Sequence, residues 1–271
     1  MNTIKVSSSI GPQGRSTSQL EKKLRPMPQL TISNIIQAFP GCKRLYVGPY
    51  RNVLDTVGPT LQVCQPQKFA AIARTFAEDS HISAQLSDYM LTEYWGGRFI
   101  EEFLQRNPHH PQIMLMTRHA NDEKRHADLF GALAGTRVVD TEGSAAFQLE
   151  ERFHRVYARC VKDDFFAMAC LLHGFEVRSA LIQSYWFTLM DLFPHAPAAA
   201  LRPTFSRIAT DEVFHVTYTM QMVCQGLAAG ADPSVLANAL RLAEASIEVV
   251  EAMPGGLATL SMCSKTPQSC S

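Results

Sequence analysis

Two short motifs in the sequence repeat the same order of carboxylate and imidazole residues. Asp-Glu-Lys-Arg-His occupies 122–126, and Asp-Glu-Val-Phe-His occupies 211–215. In a helix, residues i and i+3 lie on one face about one turn apart, so each motif directs a glutamate and a histidine at the same point. A single Glu-x-x-His pair is common on helix surfaces. Two copies, each preceded by aspartate, indicate a shared metal site.

Two further glutamates lie at matching distances from the breaks between predicted helices. One break, at 106–111, is centred near position 108; Glu123 follows that position by 15 residues, and Glu93 precedes it by 15. The second break is centred near 194; Glu212 follows it by 18 residues, and Glu176 precedes it by 18. Because a helix rises 1.5 Å per residue, each hairpin places a glutamate opposite a Glu-x-x-His motif.

Two other acids compete with Glu93 on its predicted helix. Glu101 and Glu102 lie about two turns nearer the break, and we expect them on a solvated face. The predicted ligands are therefore four glutamates and two histidines: Glu93, Glu123, His126, Glu176, Glu212 and His215.

This ligand set favours iron, with manganese as the alternative. Carboxylates with one imidazole per metal suit these ions better than zinc or copper. The competing interpretation is a helical protein with buried Glu–His pairs and no metal. Four buried glutamates without a cation would repel one another at a large cost in free energy, so we expect two metal ions.

Composition and helix breaks predict an all-α fold. The chain has 271 residues, of which 46% are apolar and 18% charged, a globular composition. No uninterrupted apolar run reaches the roughly 18 residues of a membrane span, so we expect none. Long stretches with few or no prolines and few alternating windows predict these helices: 29–39, 50–57, 68–79, 81–106, 112–134, 145–192, 198–229 and 233–253. The predicted divisions are an irregular basic segment (1–66), a helical bundle (67–253) and a flexible tail (254–271).

Charge and cysteine usage set the expected surroundings of the protein. Basic and acidic residues number 25 each, so the whole chain makes no electrostatic case for nucleic acid. Residues 1–52 carry eight basic residues and one acidic residue, a charge of +7 that the remainder balances. The seven cysteines form no Cys-x-x-Cys pair, which favours reduced thiols and a cytoplasmic protein. We also expect a homodimer.

Over residues ~80–225 the pattern resembles the ferritin-like di-iron carboxylate superfamily, which implies a four-helix bundle with additional N- and C-terminal helices. The aspartate before each glutamate is similar to the oxygen-activating branch, which includes bacterial multicomponent monooxygenases, acyl carrier protein desaturases and ribonucleotide reductase small subunits. The resemblance implies that Asp211 accepts a hydrogen bond from His126, and Asp122 one from His215. It also implies that Ser179 assists protonation of oxygen, whereas a helix hydroxyl more commonly bonds its own backbone.

Three differences from known families of this superfamily narrow the choice of family. Phe130 occupies the position of the radical tyrosine of ribonucleotide reductases, Ile208 replaces the third histidine of aminobenzoate N-oxygenases, and no rubredoxin-type Cys-x-x-Cys module is present. The resemblance then implies an oxygenase or oxidase that uses O₂ to hydroxylate, desaturate or N-oxygenate a small organic substrate. Electrons would come from a separate reductase or ferredoxin, or from the substrate. An iron-handling ferroxidase and a tRNA-modifying hydroxylase remain alternatives.

A glycine pair predicts where the substrate lies. Gly96 and Gly97 follow Glu93 at +3 and +4, on the face that carries the ligand. Each glycine costs a helix interior about 1 kcal/mol relative to alanine, so the pair calls for a reason. We expect a cavity walled by Tyr89 and Phe130; close helix packing or a kink is the alternative.

Two more histidines lie one turn before predicted ligands. His173 precedes Glu176 by three residues, and His119 precedes Glu123 by four. Each could be an extra ligand, a base beside the metals or an ordinary core residue. We assign His173 to the predicted substrate pocket.

Overall fold

A computed structural model describes residues 31–39, 41–77, 79–136 and 164–251. Within these ranges the chain forms helices and turns and no strand, which confirms the all-α class. The predicted tail at 254–271, residues 1–30 and the first part of the predicted helix at 145–192 lie outside the described residues.

The long helices match the predicted stretches closely, with one exception. The sequence predicts a single helix over 145–192, but Asp164 has an extended backbone (φ −84°, ψ 105°) and the helix begins at Phe165. The α-helices of the described residues are α1 (Ile32–Ala38), α2 (Cys42–Leu45), α3 (Gly48–Val57), α4 (Pro66–Ala77), α5 (Asp79–Arg106), α6 (Ile113–Ala134), α7 (Phe165–Leu192), α8 (Arg202–Ala228) and α9 (Pro233–Glu251). Short 3₁₀ turns lie at Gly58–Thr60, Gln62–Cys64 and Pro197–Leu201.

Two antiparallel pairs, α5 with α6 and α7 with α8, carry the predicted ligands. Local signals set their ends. Gly135 has φ 70°, a left-handed conformation that glycine adopts without strain, and it terminates α6. Asp164 caps α7, because its Oδ1 accepts hydrogen bonds from the backbone N–H groups of Phe166 and Ala167 at 2.9 and 3.1 Å.

Helix α7 is the central helix of the core. It packs against α8 on one side and α9 on another, and it also contacts α1 and α4. By length and composition it could cross a membrane, with a mean hydropathy of 1.4 over its most apolar window. However, 78% of that window is buried inside the protein, as expected for a helix surrounded by other helices.

The N-terminal helices pack into the same core as the long helices. Ile36 of α1, with Tyr50 and Leu54 of α3, is almost completely buried. The Tyr50 hydroxyl lies 2.6 Å from Nε2 of His173, and Nδ1 of His173 lies 2.9 Å from Oγ1 of Thr219. The ranges 32–38, 42–45 and 48–57, which the sequence places in an irregular basic segment, are therefore helical, and Tyr50 of α3 helps to hold α7 against α8.

These contacts correct the assignment of His173. Both of its ring nitrogens are engaged away from the predicted pocket, and burial lowers its pKa to about 3. His173 is a neutral core residue that joins three helices.

Gly97 also has a different role from the predicted one. A Cβ atom added there would lie 3.0 Å from the carbonyl oxygen of Ala120 and 3.2 Å from Cβ of Glu123. Gly97 therefore allows α5 and α6 to approach closely and does not line the cavity, whereas Gly96 does. The two glycines are neighbours on α5, but only Gly97 lies against the backbone of α6.

The variants Gly97→Ala and Gly96→Ala are expected to separate packing from helix propensity. Both gain the same ~1 kcal/mol of propensity. At Gly97 the added methyl meets backbone, which costs ~1–3 kcal/mol of overpacking. At Gly96 it meets Oε2 of Glu123 at 3.3 Å, and that side chain can move. Thermal unfolding of the metal-free protein should show Gly97→Ala melting several degrees below Gly96→Ala. Equal melting temperatures for the two variants would contradict the close packing of α5 against α6 at Gly97.

Candidate metal centre

The six predicted ligands converge on one buried region between the two helix pairs. Their donor atoms form two clusters, in each of which all the atoms lie within 4.8 Å of one another. The first cluster contains Glu93, Glu123, His126 and Glu212. The second contains His119, Glu123, Glu176 and His215. Glu123 belongs to both, so each cluster could hold one metal ion with this carboxylate between them.

Distances between donor atoms fit coordination of a cation. Nδ1 of His126 lies 3.4 Å from Oε2 of Glu93, and Nδ1 of His215 lies 3.3 Å from Oε1 of Glu123. Two ligands each ~2.1 Å from one metal lie about 3.0 Å apart at right angles and about 3.4 Å apart at a tetrahedral angle. The clusters therefore have the size that a small divalent ion requires.

Each motif histidine is held by the aspartate of the other motif. Nε2 of His126 lies 3.2 Å from Oδ2 of Asp211, and Nε2 of His215 lies 3.3 Å from Oδ2 of Asp122. Nδ1 of both rings faces the cluster and makes no hydrogen bond. Buried polar atoms normally have partners. A metal ligand needs this arrangement, with one nitrogen free for the metal and the other fixed by an acceptor.

Arg125 joins the two aspartates, a contact that sequence analysis did not identify. Its Nη2 lies 2.8 Å from Oδ1 of Asp122 and 2.7 Å from Oδ2 of Asp211. Burial raises the pKa of Asp122, but hydrogen bonds from His215 and Arg125 outweigh that effect and lower it to about 2. Asp122 is therefore anionic at neutral pH. The available sequence signal was that Arg125 follows Asp122 by three residues.

In the metal-free protein the buried glutamates cannot all be ionised at once, because their negative charges repel one another. Burial, followed by the neighbouring Glu93, raises the pKa of Glu123 well above its ordinary range. Burial and the charge of Glu176 raise the pKa of Glu212 to about 8. Although burial opposes it, His119 and His215 lower the pKa of Glu176 well below its usual range. Part of the cluster therefore binds protons where a metal ion would supply positive charge.

His119 is an additional donor that the sequence left undecided. It is fully buried, and its Nε2 lies 3.0 Å from Oε1 of Glu123 and 3.2 Å from Oε1 of Glu176. Its Nδ1 lies 2.6 Å from the hydroxyl of Tyr218. Burial, together with the charge of His215, lowers the pKa of His119, so its ring is neutral. A neutral imidazole with one nitrogen among carboxylates and the other fixed by an oxygen could serve as a seventh ligand.

A cavity of about 100 Å³ lies beside the cluster, mainly between α5 and α7. Of the predicted pocket residues, Tyr89, Gly96 and Phe130 line it, and Gly97 and His173 do not. Ser179 lines it as well. The cavity also reaches four cluster glutamates and His119: Glu93, His119, Glu123, Glu176 and Glu212. A small molecule in this cavity would contact the cluster directly.

Glu101 and Glu102 lie outside both clusters. Glu101 forms an ion pair with Lys124 of α6 and is partly exposed. Glu102 lines the cavity but belongs to neither cluster. Glu93 is thus the acid of α5 that faces the centre, as predicted from its distance to the break.

Comparison of the chain with models of protein families, with curated proteins and with solved structures gives no match. The buried glutamates and histidines could hold metal ions, and the properties of their donor atoms are the basis for inferring which chemistry the centre supports.

The stability of the metal-free protein is expected to fall as pH rises through about 8. Glu212 has a folded pKa of about 8 against an ordinary 4.5. Its contribution to stability is therefore complete below pH 4.5 and is lost as pH rises through 8, because the folded state then loses a proton that the unfolded state has already released. The raised pKa of Glu123 acts in the same direction. Metal ions replace these protons, so the loaded protein should lack this decline.

Melting temperatures between pH 6 and pH 9, with and without a divalent metal, measure this effect. The side chain that Glu212→Gln introduces is uncharged over this pH range, so the melting temperature of this metal-free variant should fall less with pH than that of the wild type. Identical pH profiles for loaded and metal-free protein would show that the carboxylates are not neutralised by metal.

Proposed function

We propose that the protein is a di-iron oxygenase or oxidase of the ferritin-like kind, which uses O₂ to oxidise a small organic substrate. The observation that supports this most strongly is the pair of crossed contacts, His126 with Asp211 and His215 with Asp122, around a buried set of four glutamates. Crossed contacts of this kind are what the sequence resemblance implies for the oxygen-activating branch.

The donor set favours iron or manganese over other metals. Glutamate oxygens outnumber imidazole nitrogens even when His119 is included, and the described part of the centre contains no thiolate. Oxygen-rich sites suit these ions, whereas zinc and copper prefer sites richer in nitrogen or sulfur. Two bound iron ions would supply the electron transfer that reduction of O₂ requires.

The protein's own residues then have three tasks. The glutamates bind the cations and offset their charge. Asp122 and Asp211 would keep the Nδ1 atoms of the two histidines directed at the metals, and Arg125 bridges the two aspartates and lowers the pKa of Asp122. Phe130, Phe205 and Trp95 line the cavity and exclude water from the reacting region.

Ser179 is in position to take part in proton movement. It lies three residues after Glu176 and lines the same cavity, so its hydroxyl can exchange a proton with a group bound there. We propose a separate reductase or ferredoxin as the electron donor, since the chain has no flavin or nicotinamide motif.

An iron-handling ferroxidase could have the same metal centre, but it binds no organic substrate and so does not require the cavity. A walled space that reaches the ligand oxygens is what an enzyme with an organic substrate requires. This observation favours the oxygenase or oxidase over iron storage.

The proposal is tested by metal content and by oxygen reactivity. After anaerobic loading with Fe(II), we expect about two irons per chain, and oxygen with a reductant should then be consumed repeatedly. Glu123→Ala and Glu212→Ala should lose most of the iron, because each removes a carboxylate from the cluster. Asp211→Asn should retain the fold but lose ~10–100-fold in iron affinity or oxygen consumption, since His126 loses its anionic acceptor.

Two acids outside the cluster provide matched controls, the exposed Asp128 on α6 and the partly exposed Glu101 on α5. Asp128→Asn and Glu101→Gln should retain iron and oxygen consumption. Iron that accumulates well beyond two per chain, with oxygen consumed only while iron is supplied, would replace the proposal with a ferroxidase. Full iron content in both glutamate variants would exclude the metal centre itself.

A further inference from the structure

Two buried side chains that line the cavity carry N–H groups without a partner. Trp95 of α5 and Gln183 of α7 are 4% and 7% exposed. In the described part of the chain, neither Nε1 of Trp95 nor Nε2 of Gln183 has a hydrogen-bond partner. Both are donors, the indole with one hydrogen and the amide with two. Buried donors are normally satisfied, so a ligand that accepts from them is the straightforward explanation.

The other tryptophan of the chain shows what the fold does with an indole that needs no ligand. Trp186 is fully buried on α7, and its Nε1 donates to the hydroxyl of Tyr89 at 2.9 Å. Cζ of the Arg98 guanidinium lies 5.3 Å from the centroid of the Trp95 ring, but the indole N–H of Trp95 has no hydrogen-bond acceptor among the described residues. The unpaired donor is therefore specific to the cavity and is not a general property of buried tryptophan here.

The walls of the cavity determine what kind of molecule carries the acceptor. Besides Trp95, five aromatic rings of Tyr and Phe line it: Tyr89, Phe99, Phe130, Phe175 and Phe205. Apart from the cluster, the charged residues of the lining are two arginines and two acids, namely Arg98, Arg178, Asp88 and Glu102. Their formal charges cancel, so the part of the lining outside the cluster favours neither an anion nor a cation.

The size of the cavity limits the molecule to about one ring. Its volume is about 100 Å³. A dry cavity of ~150 Å³ lined by aliphatic and aromatic side chains accommodates benzene. A single small ring or a short branched chain is therefore the upper limit unless side chains move.

We propose that the cavity binds an uncharged, apolar molecule of about one ring that carries a hydrogen-bond acceptor, such as a carbonyl oxygen, and that Trp95 and Gln183 donate to this acceptor. That this molecule is the substrate rests on the function proposed above. Trp95 lies two residues from Glu93 along α5, and Gln183 lies seven from Glu176 along α7. Both donors line the cavity that Glu93 and Glu176 also line, so a molecule that they bind lies beside the centre.

Cyclobutanone and methylenecyclobutane provide a matched pair of probes of suitable size, because they share a shape and differ in a carbonyl oxygen. Calorimetric titration of the full-length chain, both metal-free and loaded with Fe(II) under argon, should show cyclobutanone binding ~10-fold more tightly. Trp95→Phe and Gln183→Leu should each weaken the ketone ~3–10-fold and leave the hydrocarbon unchanged. Equal affinities in the wild type, or a ketone preference that survives in the double variant, would overturn the proposal.

Stability without ligand provides a second readout. Gln183→Leu removes an unpaired buried donor at nearly constant volume and should raise the melting temperature. Trp186→Phe breaks an existing hydrogen bond and should lower it by more than Trp95→Phe does. If Gln183→Leu lowers the melting temperature, and Trp95→Phe lowers it as far as Trp186→Phe, both donors already have partners such as ordered water, and the inference fails.

These measurements need neither turnover nor oxygen. Selective ketone binding in a protein that does not consume O₂ would contradict the proposed function alone. Oxygen consumption by a protein that binds both probes equally would contradict this inference alone.

Discussion

The burial of four glutamates in one small volume is the constraint on which the rest of this structure depends. Two unit charges 4.8 Å apart repel by ~3 kcal/mol even at an effective dielectric constant of about 20. Three glutamates share the first cluster within that distance, so their mutual repulsion alone would reach ~10 kcal/mol. That equals the whole stability of a typical domain. The fold is tenable only if protons or cations neutralise this charge.

The surrounding elements are arranged to hold that positive charge in place. Arg125 bridges the two aspartates on the outer side, and the histidines stand between the aspartates and the glutamates. From the surface inward, the order is therefore an arginine, two aspartates, two histidines and the glutamates, so positive or proton-donating groups alternate with carboxylates. Gly97 brings α5 close enough to α6 for Glu93 and Glu123 to meet, and Tyr50 with His173 fixes α7 from the opposite side.

The ligands could be predicted from the sequence because they depend on local regularity. Helices are stiff, with a constant rise per residue, so equal distances from a turn place Glu93 opposite Glu123 and Glu176 opposite Glu212. The i, i+3 spacing likewise brings each motif's glutamate and histidine to one face. The all-α class followed from the length of the proline-free stretches, and the crossed pairing of aspartates with histidines followed from the family resemblance.

The remaining features depend on how helices rotate against one another, which local spacing does not determine. Positions +3 and +4 from Glu93 both lie near the ligand face, and only the packing of α6 assigned Gly96 to the cavity and Gly97 to a backbone contact. His119 and His173 have similar sequence settings, yet one joins the cluster and the other binds Tyr50. The unpaired donors of Trp95 and Gln183 become visible only when every possible partner is placed in three dimensions.

We propose that two cations replace protons within this carboxylate cluster. Anomalous X-ray scattering from crystals of the iron-loaded protein would locate each metal without reference to activity. We expect two peaks per chain, one beside Glu93 and His126 and one beside Glu176 and His215, with Glu123 between them. No peak among these residues, or a single one, would contradict it.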